Sequence, residues 1–121
     1  MIASDIKELL PSEWPVTVGD LPSANVEAIG LIEFDGYFNT MYLGMRYTSI
    51  LQPLVKVVAR SASYAQGEFW VDRAKEILNG YQDPWYGKIL SITMVGVPTY
   101  LGRNTQKFHE FQVVFQVKVK E

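Results

Sequence analysis

The chain has one histidine, His109, followed directly by Glu110. A carboxylate that orients an imidazole and holds its charged form is the usual basis of a general base. Such a pair must converge. His109 and Glu110 stand in a stretch that reads as a strand, where neighbouring side chains leave on opposite faces. Neither a nucleophile nor a third orienting group is marked by spacing. Metal chemistry is no better supplied. Cysteine is absent from the 121 residues, which excludes a Cys-ligated zinc site and a disulfide framework. The carboxylates do not fall at the intervals of a calcium loop. Gly-x-Gly-x-x-Gly and Walker patterns do not occur, and the nearest stretch, Val95-Gly96-Val97-Pro98, has one glycine. The expectation is no catalytic residue, no cofactor and no metal site.

Aromatic and charged residues remain. Seven tyrosines, six phenylalanines and three tryptophans could stack on bases, but the net charge of −2 argues against a large nucleic-acid surface. No sequence-specific nucleic-acid partner is expected. Aromatics gathered on the turn-rich stretches Tyr37–Tyr47 and Tyr81–Tyr86 suit protein contact surfaces instead. The charge is unevenly spread. Residues 1–35 carry Asp5, Glu8, Glu13, Asp20, Glu27, Glu33 and Asp35 against Lys7, a net of −6. Residues after Pro84 carry Lys88, Arg103, Lys107, Lys118 and Lys120 against Glu110 and Glu121, a net of +3. Opposite ends of this kind can attract each other between copies of the chain, or face each other or water within one copy.

The elements that must position these residues follow from pattern. Phe111, Val113, Phe115, Val117 and Val119 alternate with Glu110, Gln112, Val114, Gln116, Lys118 and Lys120, a period of two that specifies a strand with one dry face. Phe108–Val119 would span about 40 Å, longer than the strands of an ordinary small domain. Other strands are expected at Val16–Val18 (at a sheet edge), Ala28–Phe34 with Gly30 as a bulge, Leu54–Ala59 opened by Pro53, and Lys88–Val95. Asp35-Gly36 reads as a turn, and Tyr37–Leu51 as loop with some extended character. A short helix is expected over Asp5–Leu10, capped by Ser4 and stopped by Pro11. A longer one is expected from Ala65 to Leu78, with Gly80 in the left-handed position past its end. Its apolar stripe is Trp70, Ala74, Ile77 and Leu78, with Phe69 and Arg73 at the borders. Lys88–Val95 and the terminal strand should be antiparallel neighbours, joined by an eleven-residue segment, Gly96–Gln106, part of which projects.

The whole is a one-domain α+β fold. Its sheet is mixed, mainly antiparallel, with a long C-terminal hairpin packed against one main helix and a short N-terminal one. No secretory signal and no apolar run long enough for a spanning helix are present, so no membrane partner is expected.

Three stretches, taken in order, resemble the minor capsid protein family of tailed bacteriophages and prophages. They are Leu9-Leu10-Pro11-Ser12-Glu13-Trp14-Pro15-Val16 with Gly19-Asp20-Leu21-Pro22; Val55-Lys56-Val57-Val58-Ala59-Arg60-Ser61 with Ser63-Tyr64 and Leu78-Asn79-Gly80; and Gly96–Asn104. The resemblance implies a tail terminator or tail-completion factor at the head–tail junction. It also implies assembly with other copies as a ring, six-fold in related tail terminators, with tail tube and head–tail connector proteins as further partners. The place implied is the virion, assembled in the cytoplasm of a bacterial host. A small α+β enzyme or ligand-binding domain, and a monomeric adaptor for one protein partner, stay open as alternatives. The subunit interface is expected at Tyr100, Leu101 and Arg103, on the segment that leads into the terminal strand.

Overall fold

The computed structural model describes residues 2–21, 27–43, 46–83, 87–104 and 107–120, with side chains described at these positions except 35–43 and 46–49. Along the chain run α1 (Ile2–Leu9), β1 (Val16–Val18), β2 (Ala28–Leu43), β3 (Arg46–Ser61), α2 (Tyr64–Leu78), β4 (Ile89–Arg103) and β5 (His109–Lys120). The fold is α+β. Its five strands lie in the order β1-β2-β3-β5-β4. Neighbours are antiparallel except for the parallel β1–β2 pair at the edge.

The alternation of β5 decides which face is dry. Phe111, Val113, Phe115, Val117 and Val119 are buried, while the residues between them stay partly exposed. β3 sets Ala59, Val57 and Val55 opposite Phe111, Val113 and Phe115, doubling the apolar strip across two central strands. Ile2, Ala3, Ile6 and Leu10 from the first helical segment, with Trp70, Val71, Ala74 and Leu78 from α2, complete the same core. Each helix buries one stripe against the sheet, the arrangement that one-sided patterns require.

Helix α2 is delimited by its caps. Ser63 is extended, and its hydroxyl accepts from Gln66 N at 3.3 Å, satisfying one of the free amides of the first turn. At the other end Asn79 N donates to Lys75 O, and Gly80 takes φ +89°, open to glycine without strain. Val71 joins the buried stripe, Ile77 lies at its margin, and Phe69 points outward at 54% exposure.

Several boundaries differ from those expected. α1 begins at Ile2, so Ser4 lies inside the helix and not at its N-cap position. Its leading amide, Ile2 N, donates to Glu33 Oε1 of β2 at 3.0 Å, which satisfies one of the free amides of the first turn. Gly30 is a regular partner of Val58; the irregularity lies between Phe34 and Gly36, so Asp35-Gly36 is a bulge in a continuing strand, not a turn. β2 and β3 each run 16 residues, through the stretch expected to be loop. Pro53 lies within β3, opposite Gly36 and at a position the β3–β5 ladder skips, where a missing N–H is tolerated. β4 likewise continues to Arg103, leaving a five-residue tip, Asn104–Phe108, in place of the eleven-residue connection. Asn104 closes that tip: its Oδ1 accepts from Phe108 N and its N donates to Phe108 O, both at 2.9 Å.

Candidate functional site

The outer edge of β4 changes character at Val95. Before it, residues 79–83 after α2 line the edge. Gly80 N donates to Ile92 O at 2.8 Å, Ile92 N to Tyr81 O at 3.0 Å, and Met94 N to Asn79 Oδ1 at 2.9 Å. Asp83 finishes the seam by accepting from Ile89 N at 2.7 Å. The Tyr81 hydroxyl donates to the same carboxylate at 2.9 Å. That bond, with some burial and the nearby negative charge, raises the Tyr81 pKa above its ordinary value. From Val95 to Arg103 no strand pairs with this edge among the described residues. Val95, Val97, Tyr100 and Leu101 are exposed there. An open edge carrying apolar side chains is a template for another chain.

Tyr100 is the inner member of this set. In the β4–β5 ladder it lies opposite Phe111, and Arg103 lies opposite His109. The Tyr100 hydroxyl is 2.8 Å from His109 Nδ1. Tyr64, the first residue of α2, stacks edge-on against Tyr100, His109 and Phe111 at centroid distances of 5.1, 5.6 and 5.0 Å. Edge-to-face contacts at such distances are favourable beyond the area they cover. The four rings join the start of α2 to the far end of the hairpin and hold the open edge in position.

The structure therefore gives His109 a partner that sequence spacing did not mark. Tyr100 is nine positions away and meets it only because the tip folds back. Tyr64 was missed as well, because the helix was expected to start at Ala65; Ser63, a favourable N-cap type, is the signal that could have placed it at the helix start. Glu110 does not cooperate with His109 through any hydrogen bond among the described residues. Leu101 and Arg103 are exposed, and Arg103 forms no ion pair among the described residues. Of the three expected interface residues, Tyr100 is thus engaged within its own chain, while Leu101 and Arg103 face outward. The aromatics expected at contact surfaces over Tyr37–Tyr47 lie outside the described side chains, and Trp85 and Tyr86 outside the described residues.

The charge asymmetry is partly spent within the chain. Lys88 Nζ meets Asp5 Oδ2 at 2.7 Å, Glu27 accepts from the Ser61 hydroxyl at 3.0 Å, and Glu33 holds the start of α1. Among the described residues no group of three His, Asp or Glu side chains could hold a metal. No described helix is long and apolar enough to cross a membrane.

No family model and no curated relative matches this sequence. Among solved structures, the fold is similar to a chain of the "Virion of native gene transfer agent (GTA) particle", with a TM-score of 0.56 and 11% sequence identity. The match covers 96% of this chain and 84% of that one. At that identity the likeness is one of fold, and it extends over almost the whole chain.

Proposed function

We propose that the chain is a structural protein of a phage-like virion, acting at the head–tail junction or tail end as a terminator or completion factor by forming a ring of copies. The observation that carries this reading is the shared fold with a chain of a gene transfer agent virion over 96% of the length. The free edge of β4 supports it, because a ring contact joins one surface of a subunit to a different surface of the next. Leu101 and Arg103 lie on that edge, with Tyr100 bracing it from behind. The role is one of assembly, not catalysis. The Tyr100–His109 pair sits on an open surface. Partners in this reading are other copies, a tail tube and a connector protein, in a particle assembled in the bacterial cytoplasm.

The test is to purify phage-like particles from the cells that encode this chain and locate it with gold-labelled antibody. Label at the head–tail junction is expected. Label spread along the head shell would keep the virion role and reject the junction. Absence from particles would overturn the reading.

A further inference from the structure

The ring reading leaves open what receives the free β4 edge. On the outer side of α2, Phe69 is 54% exposed although it is a large aromatic. It stands beside Trp14, with ring centroids 6.5 Å apart. Here Ala65, Glu68, Phe69, Asp72, Arg73 and Glu76 form one shallow, open face along the helix. Arg73 is taken up by Glu76 at 2.8 Å. Glu68 and Asp72 form no ion pair among the described residues. This outward face of α2 thus sets the exposed Phe69 ring beside two carboxylates that form no ion pair among the described residues.

The hairpin tip carries the complement. Arg103 and Lys107 are exposed and form no ion pair among the described residues. Leu101, two residues before Arg103 on the same strand, is 50% exposed. Lys107 is held in the left-handed conformation, φ 68°, within the turn closed by Asn104. The chain's own tip is tied at the start of α2 through Tyr64 and Tyr100, and its cations do not reach the acids of that helix. A cationic tip and an anionic helix face bearing an exposed aromatic ring therefore coexist on one subunit, and their charges form no ion pair with each other among the described residues.

We infer that the β4–β5 hairpin of one copy docks on the Phe69 face of α2 of the next, with Arg103 and Lys107 facing Glu68 and Asp72, and Leu101 resting on Phe69. This deepens the ring reading and rests on it. The occupant is a second copy of this chain, because the complementary tip is supplied by the same sequence. Such a contact is heterologous and so generates a ring or an open chain of subunits. Opposite charge at its rim would set the register, and the apolar centre would supply most of the affinity.

The experiment uses two charge reversals in the full chain. One is Glu68→Lys with Asp72→Lys, and the other is Arg103→Glu with Lys107→Glu. Assembly is followed by sedimentation and negative-stain microscopy, with melting temperature as the control for folding. Each reversal alone should raise the concentration for half-assembly about tenfold or more, since like charges then meet. Mixing the two variants should restore closed assemblies, because each then finds its complement on the other. The protein carrying all four changes should assemble by itself. Rings that form equally well with either reversal alone would overturn this contact while leaving the ring reading intact. So would loss in both variants with no recovery on mixing, provided both melt normally. A wild type that stays monomeric at every concentration would overturn the ring reading and this contact together.

Discussion

Gly67 of α2 lies directly on the ring of Phe111: a Cβ at Gly67 would come 2.6 Å from Phe111 Cε1 and 2.7 Å from Cδ1. Glycine in a helix interior ordinarily costs about 1 kcal/mol relative to alanine. Here the missing side chain lets the helix approach the sheet over its widest core residue. Phe111 also packs against the rings of Tyr64 and Tyr100, with centroids 5.0 Å away in each case, which hinders its ring from giving way.

Gly67→Ala is therefore expected to destabilise, although alanine is the better helix former. Overpacking of this kind costs about 1–3 kcal/mol, which outweighs the gain in propensity. Denaturant unfolding of the two proteins measures the difference. A variant as stable as the wild type would mean that α2 can lift from the sheet at no cost, contrary to the contact described.

Phe115 tests the centre of the core. It is fully buried between Val55 of β3 and Met94 of β4. Phe115→Ala should lose about 3–5 kcal/mol. A loss below about 1 kcal/mol, the range of surface changes, would show that the dry and wet faces of β5 are assigned the wrong way round.

These two contacts differ in how far they can be read without a structure. Phe115 belongs to an alternation that one sheet face imposes along its whole length, so β5, its burial and the helix above it were legible. β2 and β3 beyond Phe34 and before Leu54 were not. There the ladder pairs Thr40 with Ser49 and Tyr42 with Tyr47, past the last residue of β5, which pairs Lys120 with Ile50. Two strands without a third neighbour are under no pressure to alternate. The second half of β4 was hidden by Gly96, Pro98 and Gly102, which read as breakers. An edge strand tolerates them because its outer N–H groups have no ladder to complete, and its register slips there at three places. The Tyr64–Tyr100–His109–Phe111 cluster depends on the hairpin register and on where α2 starts, neither of which local spacing encodes.

The Tyr100–His109 bond makes its own prediction. The Tyr100 hydroxyl lies 2.8 Å from His109 Nδ1, so removing either side chain breaks the same contact. Tyr100→Phe and His109→Ala should each cost about 0.5–1.5 kcal/mol, and the double variant should cost less than their sum, since either change removes the same bond. A double-mutant cycle on unfolding free energies measures this. Strict additivity would show that the bond contributes nothing.

Tyr81 gives the pH dependence. Its hydrogen bond to Asp83, with some burial and the carboxylate charge, raises its folded pKa above its ordinary value. The folded state thus favours the neutral phenol. The resulting stability is complete below the unfolded value of about 10 and is lost as pH rises through the higher folded value. Asp83→Asn should move the Tyr81 titration back down, and Tyr81→Phe identifies that titration among the seven tyrosines. Ultraviolet difference titration of tyrosinate reads both. A Tyr81 transition unmoved by Asp83→Asn would rule out the carboxylate as the cause.

The last prediction separates bracing from docking at the free β4 edge. Tyr100 is 41% exposed and bound to Tyr64, Phe111 and His109 within its own chain. Leu101 is 50% exposed and Arg103 faces solvent. If this edge meets a neighbouring subunit, as we hypothesise, Tyr100→Ala should lower both the melting temperature and the yield of rings. Leu101→Asp should lower the yield far more than the melting temperature, because a charge then enters the apolar centre of the contact while the isolated fold loses only a half-exposed side chain. Arg103→Glu should act in the same direction, and its effect should shrink as salt rises, since exposed pairs are screened over a Debye length of about 8–10 Å. Ring yield by negative stain, set beside thermal melts in the same buffers, distinguishes the three. Full ring formation by the Leu101→Asp protein would place the subunit contact elsewhere on the molecule.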